Sequence, residues 1–381
     1  MSGPDIFIST GEVSGDQHTA ALLTELRRLQ PDLSAWGVGG PRLADAGQEQ
    51  LAGIEQLSLV GITEVLPKLG SILALLRRLA RELARRRPAV VLLVDAPDFN
   101  LRLAKTAHAL GLRVVYFITP QVWAWRRGRL ADIRRTVDLA LCILPFEEAF
   151  FRESGVRAEY VGHPLVDLVR PSAPAGALRA DLGLDPARPV VALLPGSRRS
   201  EVRALLPWLL GAAERLARRA PRPQFVVPAA SPAVRPLLAP LAGESVGARI
   251  VAGRAWDCLA AADAAVVASG TATLETALIG TPFVTVYRIS PLTHAIAKLL
   301  IHARWASLPN LLLGEPAVLE LLQYECRPES IAAEIERLLD DPVAAAQLRE
   351  KCGKVRALLG PGGAAARAAT AIAREAGWSG R

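Results

Sequence analysis

Short apolar runs alternate along this chain with longer stretches of helical periodicity, and that alternation restricts the folds open to it. Runs at residues 6–9, 90–94, 114–118, 139–143 and 160–161 read as strands in the first half. After a break they resume at 190–194, 224–228, 248–251, 264–268 and 283–287. Near-continuous apolar strands separated by helices belong in parallel sheets with right-handed crossovers. The break at 169–189 is rich in proline, alanine and aspartate and reads as a linker. At 381 residues, 51% hydrophobic and 22% charged, the chain has material for two ordinary domains. The predicted fold class is therefore α/β, with two doubly wound domains. Each should place its ligands beyond the carboxyl ends of its strands, with a cleft between them as the active site.

Two turns in the second half carry the strongest chemical signal. The run 264–268 leads into Ser269-Gly270-Thr271-Ala272-Thr273-Leu274-Glu275. A strand ending in a Ser-Gly-Thr turn that opens a helix offers backbone N–H groups and a positive helix end to an anion. Glu275, one turn further in, is suited to accept hydrogen bonds from paired ribose hydroxyls. The second turn, Leu194-Pro195-Gly196-Ser197-Arg198, ends the run 190–194 in the same way. Together they point to a nucleotide carrying a diphosphate, with Arg198 as a further positive group. Their plain alternative is a pair of ordinary strand–helix connections.

In the first half, Thr10-Gly11-Glu12-Val13-Ser14-Gly15-Asp16 follows the first strand and precedes a helix predicted over 17–29. It is neither a dinucleotide fingerprint nor a P-loop. Glu12 and Asp16 suit sugar hydroxyls better than phosphate, and Asp16 or Ser14 as a helix cap is the competing reading. Asp95 follows the run 90–94, and a carboxylate at the end of a buried strand is costly unless paired or functional. It is the candidate general base; Asp98 and Asn100 read better as helix caps. Trp123 and Trp125, beside Arg126, Arg127 and Arg129, form a candidate sugar- or lipid-facing wall. His163, at the end of a strand, is either a ligand-facing or a structural histidine. Leu66, Leu69, Leu73, Leu76 and Leu83 make one apolar stripe on a helix that also carries Arg77, Arg78, Arg81, Arg85, Arg86 and Arg87. Core packing with a solvated basic face is the default, and an anionic membrane surface the alternative.

Charge and composition narrow the remaining classes. The net charge is +8, which suits nucleic acid, phosphorylated substrates or anionic lipid. No zinc finger or RNA-binding aromatic pattern appears, so nucleic acid is not an expected partner. Four separated cysteines and five scattered histidines give neither a disulfide framework nor a metal-ligand spacing, and no metal or cofactor is expected. No run approaches the ~18 apolar residues of a membrane span, and no signal peptide is evident, so a cytoplasmic location is expected.

The motifs taken in order resemble the lipid-A-disaccharide synthases, glycosyltransferases of lipopolysaccharide synthesis. The resemblance rests on Gly11-Glu12-Val13-Ser14-Gly15-Asp16, Asp95-Ala96-Pro97-Asp98-Phe99-Asn100, Gln121-Val122-Trp123-Ala124-Trp125, Leu144-Pro145-Phe146-Glu147, Leu193-Leu194-Pro195-Gly196-Ser197-Arg198, Ala268-Ser269-Gly270-Thr271 and Ser307-Leu308-Pro309-Asn310-Leu311-Leu312. It implies a GT-B fold, two Rossmann-like domains with an intervening cleft. The domains are read as 1–168 for acceptor and lipid, a linker at 169–189, 190–360 for the UDP-sugar, and a helix at 361–381 packing back on the first domain. The resemblance further implies transfer from UDP-2,3-diacylglucosamine to 2,3-diacylglucosamine 1-phosphate (lipid X), with inversion, giving a β-1,6-linked disaccharide 1-phosphate and UDP. Peripheral association with the anionic inner-membrane surface is also implied, and a homodimer stays open.

On this reading Asp95 is the base, with Glu12 its rival. The donor is held by Gly196, Ser197, Arg198, Ser269, Gly270, Thr271, Glu275 and Asn310. Acceptor and lipid are met by Ser14, Asp16, Trp123, Trp125 and His163. Two other classes remain at this level. A UDP-sugar epimerase of the same fold would not need the basic apolar helix or the paired tryptophans. A non-catalytic nucleic-acid or membrane binder would leave the two anion turns and Asp95 unexplained.

Overall fold

The computed structural model describes residues 4–57, 62–124, 128–289 and 304–378, and of residues 62–69 the backbone alone. The chain divides into two compact units, Met1–Pro164 with Pro361–Arg381, and Leu165–Gly360.

The first unit runs β1 (Asp5–Thr10), α1 (Val13–Leu29), β2 (Ser34–Gly39), α2 (Pro41–Asp45), β3 (Glu49–Gly53), α3 (Ile62–Arg86), β4 (Val90–Val94), α4 (Pro97–Ala109), β5 (Val114–Phe117), α5 (Arg129–Thr136), β6 (Leu139–Cys142), α6 (Pro145–Glu153) and β7 (Ala158–Tyr160). Its strands form one seven-stranded sheet in the order β3-β2-β1-β4-β5-β6-β7. All the pairings are parallel, which buries strands such as β4 on both faces and accounts for their unbroken apolar character. The strand order reverses between β1 and β4, whose ends align through Thr10 and Val94. Such a reversal opens the crevice in which open α/β sheets bind ligands.

The second unit runs α7 (Leu165–Leu168), α8 (Ala175–Asp181), β8 (Val190–Leu194), α9 (Arg199–Leu216), β9 (Gln224–Ala229), β10 (Arg249–Ala252), α10 (Ala255–Ala261), β11 (Ala264–Ala268), α11 (Thr271–Ile279), β12 (Phe283–Tyr287), α12 (Leu308–Leu313), β13 (Glu320–Leu322), α13 (Pro328–Asp340) and α14 (Pro342–Leu359). Its six-stranded sheet has the order β10-β9-β8-β11-β12-β13, again parallel, and reverses between β8 and β11. The stretch read as a linker is folded into this unit: Leu178, Leu182 and Leu184 are buried in its core.

The chain then returns to the first unit as α15 (Ala364–Glu375). Ala368, Ala369, Ala371 and Ile372 are buried with Leu22, Leu23 and Leu26 of α1. Alanines let the two helices approach closely. Arg367 secures the return by donating to the carbonyls of Val161, Gly362 and Pro361.

Three strands escape a reading by apolar runs. β2 has the sequence Ser-Ala-Trp-Gly-Val-Gly, β3 begins Glu-Gln, and β13 spans three residues beginning with Glu320. Glycine and polar residues lower strand propensity, and pairing with β1, β2 and β12 overrides it. On α3, the buried face is Ile72, Leu75, Leu79 and Leu83, while Leu73 is exposed beside Arg77 and Arg78. The leucine stripe read from the sequence is therefore offset from the true core face. The side chains of Leu66 and Leu69 lie outside the described residues.

Candidate active site

Asp95 stands one residue past β4, at the strand-order reversal of the first sheet. Its carboxylate lies over the entrance to α1, where Oδ1 accepts the Gly11 backbone N–H at 2.8 Å and Oδ2 accepts the Thr10 hydroxyl at 3.1 Å. Burial nevertheless pushes its pKa up to about 8, with help from the charge of Glu12 and against those two donors. Gly15 makes this seat: a Cβ there would fall 1.8 Å from Asp95 Oδ2. The backbone is held in an uncommon conformation, with φ of +48° at Asp95 and +41° at Ala96. Such strain persists where the surroundings over-determine it. Here the Tyr116 hydroxyl donates to the Asp95 carbonyl at 2.5 Å, and the Asn100 amide donates to it at 3.1 Å.

The neighbours have separate duties. Glu12 is exposed at the residue preceding α1, and Ser14 is exposed in its first turn. The motif is thus the start of the helix, which begins four residues earlier than its sequence predicts. Asp16 is buried, and its two oxygens accept the backbone N–H groups of Gly40, Arg42 and Leu43 at 2.8, 2.9 and 3.2 Å. It caps α2 and ties that helix to α1, which leaves little capacity for a sugar. Asn100 does not cap its own helix; its amide binds the carbonyls of Val94 and Ser9, joining the ends of β4 and β1. Asp98 is exposed and paired with Arg129.

Trp123 donates its indole N–H to Glu147 at 3.0 Å and meets Phe146 edge to face. Glu147 is buried at the start of α6, accepts the N–H groups of Ile143 and Leu144, and is pushed up to about 7 by burial. Trp125, Arg126 and Arg127 lie outside the described residues. His163 is buried, and burial with the neighbouring His18 pushes it down to about 3, so it is neutral at ordinary pH.

In the second unit the two turns stand side by side, because β8 and β11 are neighbours at the reversal of that sheet. They are not equivalent. At the first, Glu201 Oε2 accepts the N–H groups of Ser197 and Arg198 at 3.1 and 3.2 Å, and its other oxygen lies 3.4 Å from Arg198 Nη1. The amides read as an anion cradle already hold a carboxylate. At the second, the start of α11 carries no side-chain cap. Gly270 takes φ +141° with open space where a Cβ would stand, and Thr271 is exposed. Ser269 is turned back to the Ala306 carbonyl at 2.7 Å. Glu275 is raised by burial and hydrogen-bonded by Trp256. Asn310 is fully buried and engaged with the Val318 backbone and Glu320, so it braces the Ser307–Asn310 turn against β13.

Several contributors went unsingled in the sequence: Thr10, Tyr116, Glu201 and Glu320. Only Glu201 carries a local signal, a glutamate three residues into the helix that follows Arg198, the spacing of a capping box. Among the described residues no cluster of three His, Cys, Asp or Glu side chains is placed to hold a metal.

A sequence model of the lipid-A-disaccharide synthetase family matches residues 6–373. The chain belongs to this family. The lipid-A-disaccharide synthase of Anaeromyxobacter dehalogenans is 48% identical over 369 residues, 96% of either chain. That of Myxococcus xanthus is 47% identical over 370 residues, 97% of either chain. Two solved structures share the fold at low identity. The UDP-GlcNAc 2-epimerase of Neisseria meningitidis, solved with UDP-GlcNAc bound, has TM-score 0.67 at 12% identity, over 97% of this chain and 100% of that one. The calicheamicin glycosyltransferase CalG4 has TM-score 0.61 at 18% identity over 100% of both. The fold is thus that of GT-B glycosyltransferases, and family membership sets aside the epimerase reading that the fold alone leaves open. As a member of this family the chain is a glycosyltransferase of lipid A biosynthesis.

Proposed function

We propose that the chain transfers the sugar of UDP-2,3-diacylglucosamine to the primary hydroxyl of 2,3-diacylglucosamine 1-phosphate, with inversion, and that Asp95 is the base. The Asp95 carboxylate takes the hydroxyl proton as the acceptor oxygen attacks the anomeric carbon. The bond from that carbon to the diphosphate oxygen breaks on the opposite face, and UDP leaves with the electron pair. A primary alcohol has a high pKa, so its proton must leave as the new bond forms. The observation that carries the reading is Asp95 itself: a strained, half-buried carboxylate at the sheet's crevice, with its basicity raised to about 8.

The donor's diphosphate fits the uncapped start of α11 at Gly270 and Thr271, with Arg198 as counter-charge and Glu275 for the ribose hydroxyls. No divalent ion is required on this reading. The exposed Leu73, Arg77, Arg78 and Arg81 of α3 give an apolar and basic strip suited to an anionic membrane surface. Among the described residues no helix is long and apolar enough to cross a membrane.

One observation favours a second reading of the base. The bonds from Gly11 and Thr10 make Asp95 a clamp between β1 and β4, which would leave Glu12 to take the proton. The deciding experiment follows UDP release and disaccharide formation with both lipid substrates. Release of UDP without lipid X, or no disaccharide by mass spectrometry, overturns the transfer. Full activity of Asp95→Asn together with loss in Glu12→Gln moves the base to Glu12.

A further inference from the structure

The second unit carries a basic hollow at the end of its sheet remote from the two turns. The turns follow the carboxyl ends of β8 and β11, whereas the hollow opens beside the amino ends of β8, β9 and β10. A five-residue strand separates the two ends by roughly 17 Å. The cavity has a volume of about 610 Å³ and is lined by Arg188, Arg222, Arg249 and Glu244 over the buried side chains of Phe225 and Val246.

Backbone carbonyls hold each guanidinium in place. Arg188 donates from Nε to the Arg222 carbonyl at 2.9 Å and from Nη2 to that of Pro223 at 3.3 Å. Arg222 Nη2 reaches the carbonyls of Glu244, Ser245 and Val246 at 3.5, 3.1 and 3.5 Å. Arg249 Nη2 donates to the Gly183 carbonyl at 2.6 Å. Among the described residues none of the three forms an ion pair, although Arg179 and Arg254 in the same unit are each paired with aspartates.

Carbonyl oxygens orient a guanidinium but do not neutralise it. Three full positive charges therefore surround one concavity against the single carboxylate of Glu244. A concave basic wall concentrates anions. Each arginine has five N–H donors in a fixed fork, and the bonds above use two in Arg188, the two of Nη2 in Arg222, and one in Arg249. Donors remain for a tetrahedral oxyanion, whose several oxygens such forks match. We propose that Arg188, Arg222 and Arg249 form a second anion site that takes a phosphate or diphosphate group, separate from the nucleotide turns. The group belongs either to a small free anion or to a phospholipid headgroup.

Calorimetry on the full chain at constant ionic strength tests this with inorganic phosphate and pyrophosphate. The variants are Arg222→Gln/Arg249→Gln, Arg198→Ala as the control at the nucleotide turn, and Arg222→Lys/Arg249→Lys, which keeps the charge without the fork. Saturable binding is expected in the wild type and in Arg198→Ala. It should weaken at least tenfold in the Gln pair and less in the Lys pair, with melting curves showing all variants folded. Binding of phosphatidylglycerol vesicles that falls in parallel in the Gln pair assigns the headgroup; unchanged vesicle binding assigns the free anion. Absence of saturable phosphate and pyrophosphate binding in Arg198→Ala, or wild-type affinity in the Gln pair, overturns the site.

Discussion

Asp95 is held between opposing influences, and its pH dependence follows from which one wins. Burial outweighs the Gly11 and Thr10 donors, so the protonated form is favoured up to about pH 8. A base must be ionised to act, so kcat/KM should rise with pH and level off above about 8, and Asp95→Asn should lose that limb along with about 10²–10⁴-fold in kcat. UDP affinity, measured by calorimetry, should stay nearly unchanged. The stability consequence has a definite sign. A carboxyl raised from 3.8 to about 8 adds to stability below 3.8, and that contribution is lost as pH climbs through 8. Asp95→Asn should therefore melt above the wild type at pH 9, with the gap closing toward pH 4. Gly15 tests the same seat from the other side. Alanine is the better helix former, by about 1 kcal/mol. Its Cβ would meet the Asp95 carboxylate at 1.8 Å, however, so Gly15→Ala should cost about 1–3 kcal/mol in a urea titration and lower kcat with it.

At the scale of elements, helix starts in this protein are satisfied by carboxylates from inside the fold. Asp16 serves α2, Glu147 serves α6, Glu201 serves α9, and Glu320 bonds the amides of Ala306 and Ser307 before α12. Among the described residues the start of α11 carries no such cap, which is the reason for proposing it as the seat of the diphosphate. Glu201 occupies amides that a diphosphate would also use. Glu201→Ala should cost about 0.5–2 kcal/mol for the lost cap and at the same time tighten UDP binding, as read by urea titration and calorimetry. UDP affinity unchanged in that variant would mean that the diphosphate does not use the Ser197 and Arg198 amides. Arg86 shows how an element is anchored by a charge that looks free in the sequence. It makes two bonds of 2.7 and 2.8 Å to Glu49 and lies 4.6 Å from the Trp36 ring, so it ties α3 to the sheet.

At the scale of the whole molecule, the chain enters the second unit after Pro164 and leaves it after Gly360, so the first unit depends on residues from both ends of the sequence. Truncation after Gly360 would strip α15 from Leu22, Leu23 and Leu26 and expose their apolar face. The expected result is loss of cooperative melting of the first unit. Scanning calorimetry checks it: an unchanged melting profile in the truncated chain would show that α15 contributes little. The proposed membrane association is also tested on the molecule as a whole. Among the described residues, with Arg86 engaged and the exposed Arg85 paired with Glu82, the outward arginines of α3 that form no ion pair are Arg77, Arg78 and Arg81. Each arginine near an anionic surface contributes about 1 kcal/mol. Replacing all three with serine should weaken binding to phosphatidylglycerol vesicles by orders of magnitude at low salt, and by less as salt screens the attraction. Binding that is unchanged would leave α3 a core helix with a solvated face.

The sequence by itself determined the fold class and marked out the candidate site. β4, β8, β11 and β12 are legible to the residue, because strands buried on both faces must be apolar throughout. Asp95 is legible because a carboxylate after such a run is out of place, and the Ser269–Thr271 turn because its position between strand and helix is local. The tertiary structure alone decided which polar groups are already engaged. Asp16 and Asn310 have the residue types of ligands, yet their partners are the Gly40–Leu43 amides and the Val318 backbone with Glu320. It likewise decided that β2 and β3 are strands and that the core face of α3 runs through Ile72, Leu75, Leu79 and Leu83, offset from the stripe of Leu66, Leu69, Leu73, Leu76 and Leu83 read from the sequence. The physical reason is common to all of these. Burial periodicity is written in neighbouring residues, whereas the partner that satisfies a buried polar group, or the strand that recruits a weak one, is chosen by contacts far apart in the chain.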